Sequence, residues 1–148
     1  MQKIRVCTRD DIPQVIRLSQ QWAEEGVTKG YENVKWTEEK LASRINGYFF
    51  VAELDGEITA YAFGTVKTGG ASPVIPMDER YLELYEVYIS KAFRGEGLGS
   101  ELVRALLAKA EEDGIHRATV GSSNRNWREV GDFYERLGFG MWYFQMVK

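Results

Sequence analysis

Three glycines at alternate positions, in the run Arg94-Gly95-Glu96-Gly97-Leu98-Gly99-Ser100, separate a strand-like segment from an amphipathic helix. Ahead of the run, Tyr81–Ile89 alternates as a strand does. Behind it, Leu98, Leu102, Leu106 and Ala110 share one helical stripe that Gly114 brings to an end. A strand that feeds a helix in this way commits the chain to a sheet covered by helices, because both the sheet face and the helix stripe must be buried. Glycines let backbone N–H groups approach a ligand with no side chain in the way. The start of the helix adds unpaired N–H groups and a partial positive charge, so an anion is favoured there. Arg94 supplies charge-assisted hydrogen bonds of the kind that hold phosphate oxygens. The spacing GxGxG differs from the GxGxxG of a dinucleotide site, and no Lys follows as in a nucleotide-triphosphate loop. The plainer alternative is a glycine-rich turn that only starts a helix.

The remaining elements fall in a consistent order. Lys3 to Cys7 reads as a short strand, and Asp10 or Asp11 caps a helix that turns Ile12, Val15, Ile16, Leu18 and Trp22 inward. Thr37 followed by Glu38, Glu39 and Lys40 opens a second, shorter helix. Tyr48–Leu54 and Glu57–Lys67 flank Asp55-Gly56, a hairpin signal, and Thr68 to Arg80 is a loop rich in Gly and Pro. His116–Gly121 reads as a strand, Trp127 to Leu137 as a helix stopped by Gly138, and Met141–Val147 as a closing strand. The predicted class is α/β, a single domain over residues 1–148 with a mixed sheet and helices on both faces.

Composition narrows the function. With 19 basic and 22 acidic residues the net charge is −3, and no basic run is concentrated enough to make nucleic acid the main ligand. One cysteine and one histidine exclude the usual zinc patterns and an internal disulfide, so no metal site is expected. No apolar run approaches a membrane span, and the first residues lack a signal-peptide pattern; a reducing cytoplasm is the expected location.

Arg94-x-x-Gly97-x-Gly99 matches the (Q/R)-x-x-G-x-(G/A) signature of the GNAT superfamily of N-acetyltransferases, which the chain resembles. Val87-Tyr88-Ile89, the helix after the loop, and Phe133-Tyr134-Glu135-Arg136-Leu137-Gly138-Phe139 all stand where that family has them, so the likeness covers nearly the whole chain. The resemblance implies a mostly antiparallel sheet whose fourth and fifth strands splay apart, with acetyl-CoA bound between them. Backbone N–H groups of Gly95, Gly97, Leu98, Gly99 and Ser100, with Arg94, are then expected to hold the pyrophosphate. Val87 and Ile89 are expected to pair with the pantetheine arm.

Amine attack on a thioester needs a neutral amine, a stabilised carbonyl oxygen and a proton for the departing thiolate. By resemblance Tyr134 is the acid, with simple packing as the alternative. Many family members carry a glutamate eleven residues before the loop arginine, which here is Glu83; Glu86 is the reserve. Strand alternation predicts Glu83 on the face of Tyr85, Val87 and Ile89, and Glu86 on the other. Trp127 occupies a slot that is asparagine in many relatives, so Asn126 is the candidate for contact with the pantetheine or a water. Trp22, Tyr31, Trp36 and Tyr48, with Glu24, Glu25 and Glu32, either shape a pocket for a cationic amine or serve as core and solvated acids. Trp142, Tyr143 and Phe144 put aromatic groups on both faces of the last strand, which a homodimer would bury. The expected reaction is acetyl transfer to a primary amine by direct attack in a ternary complex. The alternative is a non-catalytic acyl-CoA-binding regulatory module.

Overall fold

A computed structural model describes residues 2–148. Five strands, β1 (Lys3–Val6), β2 (Phe49–Leu54), β3 (Glu57–Thr68), β4 (Arg80–Ile89) and β5 (Ala118–Val120), form one sheet in the order β1-β2-β3-β4-β5. The first three pairings are antiparallel and β4–β5 is parallel. The β2–β3 hairpin turns at Asp55 and Gly56, with φ of +49° and +83°, as the Asp-Gly pair predicts.

Helix α1 (Ile12–Glu25) and the short α2 (Glu38–Ala42) cover one face, burying Val15, Leu18 and Leu41 against Phe49, Tyr61 and Phe63. Thr37 caps α2 by accepting from the Lys40 amide at 3.2 Å. Helix α3 (Leu98–Glu112) covers the other face, its stripe of Leu98, Leu102, Leu106 and Ala110 packed on Ala60, Ala62, Leu82 and Leu84. Each fully buried leucine contributes about 1.5–3 kcal/mol. Small alanines at the β3 contact positions let α3 sit close to the sheet. Helix α4 (Trp127–Arg136) packs Phe133 and Tyr134 against this second core without fully burying any residue.

Two expectations are corrected. First, Met141–Val147 is not a strand: it makes no ladder, and Trp142, Tyr143 and Phe144 are exposed. Apolar alternation prepares a segment for a sheet, but a strand exists only where another backbone pairs with it. Second, strict alternation fails along β4. Phe63 pairs with Glu86 but Gly64 pairs with Leu84, so Tyr85 is an extra residue in the ladder. Glycine is required at that point, since a Cβ on Gly64 would lie 2.4 Å from the Glu83 carbonyl oxygen. Leu82 and Leu84 therefore face α3, while beyond the bulge Glu86 and Tyr88 face α1. Glu83 and Glu86 end up on the same face, and Val87 and Ile89 are on the opposite one.

Candidate active site

β5 pairs with β4 only from Leu82 to Leu84, whereas β3 accompanies β4 as far as Ile89. Tyr85 to Ile89 thus have no partner on the β5 side, and the two strands splay. The Ser90 amide donates to the Thr59 carbonyl on β3 at 2.9 Å. By strand alternation, Val87 and Ile89 then point their own N–H and C=O groups into the gap.

The glycine run lies at the end of this open edge. Gly95 and Gly97 both have φ of +84°, and a Cβ at either position would meet nothing within 4 Å. One wall of the loop is therefore bare backbone. Gly97 caps α3 without any side-chain hydrogen bond, and among the described residues the amides of Leu98, Gly99 and Ser100 donate to no backbone acceptor. These are the free donors that an anion needs at a helix start. Gly99 lacks a side chain for a packing reason. Its Cβ would lie 3.2 Å from Ile89 Cδ1 and 3.3 Å from Phe133 Cζ, so it lets α3 approach β4 and α4 closely. A bare, donor-lined loop beside an unpaired strand edge fits the pyrophosphate and amide-bearing arm of coenzyme A.

Loop and edge open into one cleft of about 850 Å³, which also reaches α1, α4 and Glu86. Tyr134 lines it, its ring held edge-on by Phe133 and Phe139, and burial pushes its phenol up to about 12. Asn126 lines it as well, but its amide donates to Glu129 and it stands at the start of α4 without capping it. Arg94 does not reach over the loop: its Nη2 pairs with Glu25 at 2.7 Å and its Nε donates to the Ile89 carbonyl at 2.9 Å. A smaller depression of about 450 Å³ is lined by Glu79, His116 and Arg117, apart from the loop; there Arg117 pairs with Glu79, and His116 Nδ1 is hydrogen-bonded to Glu111.

The two glutamates differ sharply. Glu83 is absent from the cleft wall and pairs with Lys67 at 2.6 Å. Glu86 is buried in the wall and accepts hydrogen bonds from Tyr31 and Tyr61 at Oε1 and from Trp36 at Oε2, all 2.8 Å long. Burial raises its pKa and the three donors oppose that rise. A carboxylate accepts about four hydrogen bonds, so one lone pair at Oε2 is left for a ligand. Glu86→Leu would take the acceptor from Tyr31, Tyr61 and the half-buried Trp36; Tyr31 keeps Ser19 at 2.8 Å and the two phenols keep each other at 3.3 Å, and a donor left without a partner costs about 1–3 kcal/mol. The expected loss in urea unfolding is therefore at least about 1 kcal/mol; wild-type stability would show that the donors find other acceptors.

Of the aromatic residues expected near the acceptor, Trp22 and Tyr31 stack at 3.9 Å beside the cleft, and Trp36 holds Glu86. Tyr48 lies elsewhere, in the α3 core and bonded to Asp113. The cage around Glu86 was not visible in the sequence, because its donors come from the α1–α2 connection and from β3, both far along the chain from β4. Glu25 carried a weak signal, an acid in the last turn of α1, where the helix dipole favours cations.

The model of the acetyltransferase (GNAT) family matches residues 12–139. The chain belongs to the GNAT acetyltransferase family. It is 30% identical to the uncharacterized N-acetyltransferase YjgM of Escherichia coli over 92% of its own length and 80% of that protein. It is 29% identical to the uncharacterized N-acetyltransferase MJ1207 of Methanocaldococcus jannaschii over 92% of its length. That match spans only 59% of the latter; a shorter one, 44% identical over 40% of this chain, spans 28% of a GCN5-like protein acetyltransferase of Mycobacterium tuberculosis. A predicted acetyltransferase from Clostridium acetobutylicum, solved with acetyl-CoA, shares the fold with a TM-score of 0.73 at 18% identity, over 99% of this chain and 96% of that one. GNAT membership agrees with the splayed mixed sheet and the loop geometry. None of the helices is long and apolar enough to cross a membrane among the described residues.

Proposed function

We propose that this GNAT chain transfers the acetyl group of acetyl-CoA to a primary amine by direct attack in a ternary complex. The observation that carries the reading is one cleft in which a bare, donor-lined glycine loop and an unpaired strand edge meet a phenol and a buried carboxylate. Acetyl-CoA supplies the activated thioester. The amides of Gly95, Gly97, Leu98, Gly99 and Ser100 hold its pyrophosphate together with the Arg94 guanidinium, and Val87 and Ile89 pair with its amide-bearing arm. Asn126 adds a polar contact once it leaves Glu129.

Glu86, in preference to Glu83, takes the amine proton at its remaining Oε2 lone pair, because Glu83 stands off the cleft and is paired with Lys67. The amine nitrogen forms the new bond to the acetyl carbon as the carbon–sulfur bond breaks, and Tyr134 gives its phenolic proton to the sulfur. The Val87 amide, pointing into the gap, polarises the acetyl oxygen.

A thermal-shift titration tests this directly. At a hundred times the dissociation constant acetyl-CoA adds about 2.7 kcal/mol, which raises the midpoint of a domain this size by about 5–10 °C. Free-thiol release with an amine library follows. Stabilisation without thiol release would favour a non-catalytic acyl-CoA-binding module, and no stabilisation at millimolar ligand would end the acyltransferase reading. A homodimer belongs to the same proposal, supported by the apolar side chains that Met141–Val147 leave in solvent. Sedimentation equilibrium at micromolar protein is expected to give twice the 16.9 kDa chain mass, and a monomer there would remove it.

A further inference from the structure

Glu25 occupies an electrostatically awkward place. It is in the last turn of α1, followed by the Gly26 cap, and that turn contains no basic residue. The carbonyl end of a helix disfavours a carboxylate, so this one needs a cation beside it. Among the described residues its ion-pair partner is Arg94, at 2.7 Å, and Tyr88 donates a further hydrogen bond. Arg94 is also 5.4 Å above the Tyr88 ring and bonded to the Ile89 carbonyl. One guanidinium thus covers both a cleft carboxylate and a backbone acceptor on the splayed edge. It is itself the charged side chain of the glycine loop, and Arg94 and Glu25 both line the cleft.

These contacts hold the Nη2 and Nε donors of Arg94 on Glu25 and the Ile89 carbonyl, and a guanidinium aimed squarely at a pyrophosphate gives them up. Turning toward a pyrophosphate takes its guanidinium off Glu25 and frees the Ile89 carbonyl for the pantetheine arm. Glu25 is then left at a helix C-terminus with Tyr88 alone, facing a wall in which Trp22 stacks on Tyr31 at 3.9 Å and on Tyr88 at 5.3 Å. A carboxylate beside stacked aromatic faces suits an alkylammonium group, through charge pairing and cation–π attraction.

We infer that Glu25 is a cation site for the acceptor, masked by Arg94 in the free protein and uncovered when the cofactor draws Arg94 away. The inference rests on the acyl-CoA reading above and deepens it. The acceptor class is a cationic amine, and acceptors with an anionic group near the amine are disfavoured at this site. Cofactor and amine bind cooperatively, and linkage requires each to tighten the other by the same factor.

Calorimetric titration of coenzyme A into wild type, Glu25→Gln, Arg94→Gln and the double variant tests this, each with n-butylammonium chloride or sodium chloride at equal ionic strength. Glu25→Gln is expected to bind coenzyme A about tenfold tighter, because Arg94 is no longer held, and to make no difference in the Arg94→Gln background. Butylammonium is expected to tighten coenzyme A binding at least about threefold in wild type and not in Glu25→Gln. An unchanged affinity in Glu25→Gln, the same gain in both backgrounds, or a butylammonium effect that survives Glu25→Gln would each overturn the inference while leaving the acyl-CoA reading intact. Wild type that binds no coenzyme A would overturn both.

Discussion

Gly97→Trp is expected to abolish the stabilisation by acetyl-CoA, about 2.7 kcal/mol at saturating ligand, while the protein itself stays folded. The reason is local. Gly97 has φ of +84° and caps α3, and a side chain there projects into space where nothing lies within 4 Å. In the proposed complex that open space is where the phosphates meet the free amides of the α3 N-terminus, so an indole would exclude the ligand without colliding with the protein. The left-handed backbone costs a non-glycine residue about 1–2 kcal/mol, which a domain of this size tolerates. Gly97→Ala separates the two effects, since it carries the backbone strain without the bulk and should retain part of the thermal shift. If Gly97→Trp is stabilised as much as wild type, the pyrophosphate does not bind at this loop.

The glycine loop is the part of the molecule most legible in its sequence. Alternating glycines, a strand before them and an apolar stripe after them are local signals, and local signals fix a strand–loop–helix unit. The Asp55-Gly56 hairpin and the Thr37 cap were readable for the same reason. What escaped was set by pairing across the chain. The bulge at Tyr85 depends on Gly64 of the neighbouring strand meeting the Glu83 carbonyl, so period-two reasoning along β4 alone assigned Glu83 the wrong face. A glycine inside a strand run was the available hint. Glu86 becomes the cleft carboxylate only when Tyr31, Trp36 and Tyr61, each at least 25 residues away, converge on it. Arg94 and Glu25 meet across 69 residues. The sequence of Met141–Val147 shows what those side chains would bury as a strand, and leaves open what would pair with it.

Tyr134→Phe is expected to lower kcat by about a hundredfold or more, the usual contribution of a positioned general acid, while the affinity for acetyl-CoA stays near that of wild type. The ring is held by edge contacts with Phe133 and Phe139 that phenylalanine keeps, so only the hydroxyl is lost. Burial alone pushes that phenol up to about 12. The protonated, proton-donating form therefore predominates throughout the neutral range and is lost as pH rises toward 12. The Tyr134-dependent part of kcat should accordingly be flat through pH 10 and fall only above it, and Tyr134→Phe should lack that limb. The sign matters. An acid with a depressed pKa would already be ionised at neutral pH, whereas burial here keeps the proton on the oxygen, as the proposed donation to a departing thiolate requires. Unchanged kcat in Tyr134→Phe would reduce Tyr134 to a wall of the cleft, and water would then be left to protonate the sulfur.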